Sequence, residues 1–142
     1  MMDAANTSLD TGMKELLKQA TEVAHHAHAV YSGFAVGAAL RLDNGEVVTG
    51  TNVENMSYGL TICAERSALV RAVAMFGNRI RVQAVAITNL NGQDSPPCGA
   101  CRQVLAEFIE REAPVSFPWQ GKDIVVPFSA VLPYPFDLKG TK

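Results

Sequence analysis

Cys63, Cys98 and Cys101 are the only cysteines of the 142-residue chain, and a carboxylate, Glu65, stands two positions after the first of them. Cys98 and Cys101 form a CxxC step directly behind Pro96-Pro97. A proline just before Cys98 suits a helix start, because the first N–H groups of a helix have no intrahelical partner to lose. The two cysteines then share the first turn and one face. Free amides and the positive end of the helix dipole lower thiol pKa there, favouring the thiolate that a metal requires. Cys63 opens a second predicted helix in the same way, so three thiolates converge if both helix N-termini meet at one end of a sheet. Three protein ligands leave a fourth position open, as in catalytic zinc sites, whereas structural zinc sites usually close with four. Two other readings stay open on these residues alone: a redox CxxC with an unrelated buried Cys63, and a structural site completed by a histidine. His25, His26 and His28 fall within the first predicted helix and read as solvent-facing or lightly packed. Glu65 by itself equally suits complementation of the helix dipole.

The positioning elements follow from periodicity. Ser8 to about Val30 carries Met13, Leu16, Leu17, Ala20, Val23, Ala24 and Ala27 at helical spacing, behind a frayed stretch of about residues 1–7. Val36–Leu42 and Val47–Val53 are β-rich runs joined by Asp43-Asn44-Gly45, a tight hairpin turn. A second helix runs from Cys63 to about Phe76, with Ala68, Leu69, Ala72, Val73 and Phe76 on its apolar side and Gly77-Asn78 as its stop. Val82–Thr88 is apolar enough for a strand buried on both faces, and Asn89–Pro97 is a polar loop. The third helix begins at the CGAC and runs to about Glu112, with Cys101, Val104, Leu105 and Phe108 as its buried stripe. Val115–Trp119 is a short strand that Pro118 assigns to an edge or a bulge. Residues 124–134 read as a strand end or a short helix, given Pro127 and Pro133. The order predicts an α/β fold: three α/β/α layers around a mixed five-stranded sheet, with helices two and three as crossovers to neighbouring strands.

Length and a 48% hydrophobic composition suit one domain spanning 1–142 with a real core. The charged fraction of 18% lies below the roughly 25% typical of soluble domains, a hint of self-association. A net charge of −2 and the lack of a Lys/Arg cluster exclude a nucleic-acid backbone as partner and favour a small neutral ligand. The N-terminus has no apolar h-region, and no apolar run approaches the roughly 20 residues of a membrane span, so the expected location is the cytoplasm.

Cys63-Ala64-Glu65 followed by Pro97-Cys98-Gly99-Ala100-Cys101 matches the zinc-deaminase signature of a metal ligand, a spaced glutamate and a P-C-x-x-C. Together with "YSGFAVGAAL", "TNVENMSYGLTICAERSAL" and "SPPCGACRQVLAEF", in that order, the chain resembles the small cytidine deaminases from about Leu16 to Phe136. The resemblance implies a cytidine deaminase-like fold and one Zn²⁺ per subunit on Cys63, Cys98 and Cys101. It implies hydrolytic deamination of cytidine and 2′-deoxycytidine to uridine and 2′-deoxyuridine plus ammonia, in pyrimidine salvage. Zinc-bound hydroxide would attack C4 while Glu65 shuttles protons from the water to N3 and to the departing amine. Asn52 and Glu54 match the positions that hydrogen-bond the ribose hydroxyls, and Phe34 the aromatic against the pyrimidine face. The backbone amides of Ala64 and Cys98 match groups at the base, and Arg66 the arginine that offsets the charge of three thiolates. The family implies a homotetramer in which Tyr58 and Phe136 reach a neighbouring active site. Three places depart from its pattern: Met56 where a small residue is usual, Gly33 where a longer side chain is common, and the segment "SFPWQGKDIVVPFSAV".

Overall fold

The computed structural model describes residues 9–137. The frayed 1–7 stretch and a helix start at Ser8 lie outside the described residues. In chain order the elements are α1 (Thr11–Ala24), β1 (Val36–Leu42), β2 (Val47–Thr51), a single 3₁₀ turn (Tyr58–Leu60), α2 (Ala64–Phe76), β3 (Val82–Asn89), α3 (Gly99–Ala106), β4 (Pro114–Trp119), β5 (Lys122–Pro127) and α4 (Phe128–Val131). The five strands lie in the order β2-β1-β3-β4-β5. β1 runs antiparallel to both β2 and β3, β3 and β4 are parallel, and β5 returns antiparallel. The sheet is therefore mixed and five-stranded, as predicted.

Two apolar clusters make the layers. On one face α1 sets Met13, Leu16, Leu17 and Ala20 against Ala39, Ala84 and Ala86. On the other, Ala64, Ala68, Leu69 and Ala72 of α2 and Leu105 of α3 pack over Ala38, Leu40, Val85 and Ile87. Two glycines let the helices come this close. A Cβ on Gly37 would sit 2.0 Å from the Ala20 carbonyl oxygen of α1, and one on Gly50 would sit 2.4 Å from the Ala68 nitrogen and 2.8 Å from the Ala64 oxygen of α2. The Gly50 contact matters for the site, because Ala64 stands between Cys63 and Glu65.

Several expected boundaries move, each because the chain returns to the sheet. α1 starts on Asp10, whose carboxylate accepts the Met13 amide at 2.7 Å, and ends at Ala24 rather than near Val30. Ala27 and His28 lie beyond it: the His28 amide donates to the Asn52 carbonyl, and the His28 carbonyl accepts from Glu54. β2 stops at Thr51, although Val53 still bridges His28 and Ile62. α3 ends at Ala106 instead of Glu112, since Phe108 and Glu110 pair with Val82 through the backbone. Val104 consequently falls outside the buried stripe and is exposed. α3 joins adjacent strands, but α2 crosses over β1 to reach β3.

β4 is an interior strand, so Pro118 is not at a sheet edge. The Pro118 carbonyl accepts the Ser95 amide, which places this side of the residue past the β3–β4 ladder at Val85–Val115 and Ala86–Ser116. The missing N–H therefore costs no sheet bond. Residues 124–134 contain both of the expected alternatives, the end of β5 and then α4 started by Pro127.

Candidate metal centre and active site

Cys63 and Cys98 are the N-cap residues of α2 and α3, both in extended backbone conformation, so their sulfurs flank the unpaired amides of the two first turns. The Cys98 sulfur accepts the Cys101 amide at 3.4 Å. Cys101 itself is fully buried. Cys63 Sγ lies 3.6 Å from Cys98 Sγ, and the three sulfurs all fall within 4.8 Å of one another. Zinc with Zn–S bonds of about 2.3 Å in tetrahedral geometry sets its sulfurs about 3.8 Å apart, so this soft, compact donor set fits zinc. Cys63 is thus part of one cluster with the CxxC, which removes the reading that treats it as unrelated. His25, His26 and His28 are exposed, as expected, and the three-cysteine group contains no histidine.

The hydrogen bond with Cys101 and the Arg66 guanidinium hold the Cys63 thiol down at about 5 against the opposing effect of burial. The Cys101 thiol shifts the other way, through that same bond and its burial. Arg66 Nη2 donates to Cys63 Sγ at 3.5 Å, and the two sulfurs beside it keep the guanidinium more firmly protonated than usual. Arg66 Nε is buried without a partner among the described residues. Glu65, 4% exposed in the first turn of α2, is pushed up to about 7 by burial, with the Cys63 charge adding to the rise and Arg66 opposing it.

A cavity of about 420 Å³ opens onto these groups, within the range of small-molecule sites. Cys63, Ala64, Glu65 and Cys98 line it on the cysteine side, and Ser32, Phe34, Asn52, Glu54 and Tyr58 are among its other lining residues. Asn52 and Glu54 are both buried, on one side of the chain as their two-residue spacing predicts. The Asn52 side chain bridges the Phe34 loop: Oδ1 accepts the Val36 amide at 2.9 Å, and Nδ2 donates to the Phe34 carbonyl at 2.7 Å. Glu54 Oε1 accepts the Tyr31 and Ser32 amides at 3.0 and 3.1 Å, while Oε2 accepts the Ser32 hydroxyl. The Ser32 hydroxyl first, then the two amides, hold the Glu54 carboxyl below the ordinary carboxylate range.

Tyr58 is 63% exposed at the cavity edge and Phe136 is 74% exposed, so neither fills the core of its own subunit. Phe136 is held to α3 through its carbonyl, which accepts from Gln103 Nε2. Met56 is exposed and is not among the residues that line the cavity. Gly33 adopts φ +74°, a conformation that disfavours the longer side chain usual there.

Sequence reasoning missed several supporting residues. Asn91 accepts the Ala35 amide and donates to the Gly33 carbonyl, stapling the loop after β3 to both sides of Phe34. Arg102 donates to the carbonyl of Pro97, just before Cys98, and to that of Val131 in α4. Ser32, Asn91 and Gly50 carry no signal beyond their place beside the motifs. Arg102 had one: it directly follows the CxxC.

Three sulfurs at zinc spacing beside a buried carboxylate define the class, a zinc-dependent hydrolase. The family model for the cytidine and deoxycytidylate deaminase zinc-binding region matches residues 11–116. The cytidine deaminase of Mycobacterium tuberculosis is 47% identical over 109 residues, 77% of this chain and 80% of that protein. The cytidine deaminase of Halalkalibacterium halodurans is 46% identical over 100 residues, 70% and 74% of the two chains. The crystal structure of the Mycobacterium tuberculosis enzyme superposes with a TM-score of 0.79 at 40% identity, covering 91% of this chain and all of that one. The chain belongs to the cytidine and deoxycytidylate deaminase family.

Proposed function

We propose that the chain is a cytidine deaminase that hydrolyses cytidine and 2′-deoxycytidine to uridine and 2′-deoxyuridine, releasing ammonia, in pyrimidine salvage. The observation that carries this reading is the three-cysteine cluster of Cys63, Cys98 and Cys101 meeting, through Cys63, Cys98 and Glu65, a cavity that Phe34, Asn52 and Glu54 also line. Cys63, Cys98 and Cys101 would hold one zinc ion. Zinc, when bound, lowers the pKa of a water from about 15.7 to about 7 and so supplies a nucleophile at neutral pH.

The protein groups do the rest. Glu65, buried in the first turn of α2, takes one proton from the attacking water and passes it to ring N3; it then takes the second proton from that oxygen, now bonded to C4, and delivers it to the exocyclic amine as the C4–N bond breaks. Water and cytidine thus give uridine and ammonia. The amides of Ala64 and Cys98, at or beside helix N-termini, bind the base and the charge that develops on it. Phe34 packs on the pyrimidine face, and Asn52 and Glu54 bind the ribose hydroxyls. Arg66 offsets one of three thiolate charges.

The chain acts as a single domain over 1–142 in the cytoplasm, and it assembles as a homotetramer. Exposed apolar side chains on the segment after β2, Met56 and Leu60 beside Tyr58, support that assembly, as does exposed Phe136. Tyr58 and Phe136 then reach a neighbouring subunit's site.

An ultraviolet assay of the purified protein on cytidine, deoxycytidine and a cytidine-containing oligonucleotide tests the substrate class. Turnover of both nucleosides with none of the oligonucleotide is expected; turnover of the oligonucleotide alone overturns the reading.

A further inference from the structure

Glu54 is the best-anchored carboxylate of the cavity, and one side chain does much of the anchoring. Oε1 is occupied by two backbone amides, those of Tyr31 and Ser32. Among the described residues Oε2 accepts only the Ser32 hydroxyl, which leaves that oxygen with lone-pair capacity for a ligand hydroxyl. The same Ser32 oxygen accepts the Phe34 amide at 2.9 Å. Gly33, at φ +74°, makes the turn that brings the Phe34 amide back to it. One hydroxyl therefore joins the Glu54 carboxylate to the Phe34 backbone, and all three residues line the cavity.

We propose that Ser32 is a positioning residue that aims Glu54, and through Glu54 governs the preference for nucleosides that carry sugar hydroxyls, while the Phe34 segment stays held by Asn52 and Asn91 without it. This rests on the reading of Glu54 as a ribose contact. Without the Ser32 hydroxyl, Oε1 stays fixed by backbone but the carboxylate is free to rotate about that oxygen, and Oε2 loses its aim. A charge-assisted hydrogen bond has geometric as well as energetic weight, so its loss should appear where Oε2 meets the ligand. Chemistry at C4 depends on other groups and should be spared.

The test is steady-state kinetics on cytidine and 2′,3′-dideoxycytidine with the zinc-loaded parent, Ser32→Ala, Ser32→Thr and Glu54→Gln. Ser32→Ala should raise the KM for cytidine about tenfold, the lower range for a hydrogen bond to a charged group. Its kcat should stay within about threefold, and its KM for dideoxycytidine within about twofold. Ser32→Thr keeps the hydroxyl and should recover most of the loss, which a defect in folding alone would not predict. If Glu54→Gln separates the two nucleosides while Ser32→Ala raises both KM values alike, or neither, the role of Ser32 is overturned. If Glu54→Gln does not separate them, the ribose reading of Glu54 falls and this inference falls with it.

Discussion

Gly50→Ala tests how the active site depends on the approach of α2 to β2. The added methyl would sit 2.4 Å from the Ala68 nitrogen, 2.8 Å from the Ala64 oxygen and 2.9 Å from the Ala68 Cα. All three are helix backbone, so no rotamer change relieves the clash. An ordinary carbon contact needs about 3.5 Å, so α2 must retreat by about 1 Å at its first turns. Overpacking of this kind costs about 1–3 kcal/mol, which lowers the melting temperature of a domain this size by about 3–10 °C. The larger effect should be on turnover, because Cys63 and Glu65 move with Ala64, and a misplacement of about 1 Å can cost about 100-fold in rate. Calorimetry gives the first number, and kcat/KM for cytidine well below the melting temperature gives the second. A variant that melts with the parent and retains parental kcat/KM would refute the argument that this glycine sets the helix position.

Arg102→Ala removes the bond to the Pro97 carbonyl and that to Val131, freeing the turn that presents Cys98. Groups that orient metal ligands typically contribute about 10–100-fold to affinity, so competition with a chromophoric chelator should show zinc held about tenfold more weakly. Glu65→Gln should stabilise the protein once chelator has stripped the metal. Burial raises the folded carboxyl from 4.5 to about 7, so the unfolded chain releases this proton first as pH rises. Stability falls as pH climbs from 4.5 through 7 and the deficit persists above, amounting to about 3 kcal/mol. Urea midpoints should therefore favour the variant at pH 8 and coincide at pH 4; coincidence at pH 8 would show that Glu65 is not desolvated in the metal-free fold.

The metal motif was legible because its meaning is local. Pro97, Cys98 and Cys101 specify a helix start, and Cys63 with Glu65 specifies a second. That the two starts meet is a property of the sheet, and the sulfur separation of 3.6 Å between Cys63 and Cys98 is where the chain confirms it. Helix ends were less legible, since periodicity continues past Ala24 and Ala106 while backbone pairing of His28 with Asn52 and of Phe108 with Val82 draws the chain into the sheet. Pro118 misled for a related reason: a proline excludes one ladder bond, not an interior strand whose ladder has already ended. Asn91 and Gly50 were invisible because their roles exist only in contacts with residues far along the chain, and Ser32 because its local bond to the Phe34 amide says nothing of its bond to Glu54.

The proposed proton transfer by Glu65, at a zinc centre held by Cys63, Cys98 and Cys101, makes a direct demand on one variant. Measuring zinc content and cytidine turnover on the same preparation of Glu65→Gln tests it most directly. One zinc per chain is expected, with turnover reduced by several orders of magnitude, because the three cysteines are intact and the proposed proton carrier is gone. A fully loaded Glu65→Gln protein that deaminates cytidine at the parental rate would contradict it.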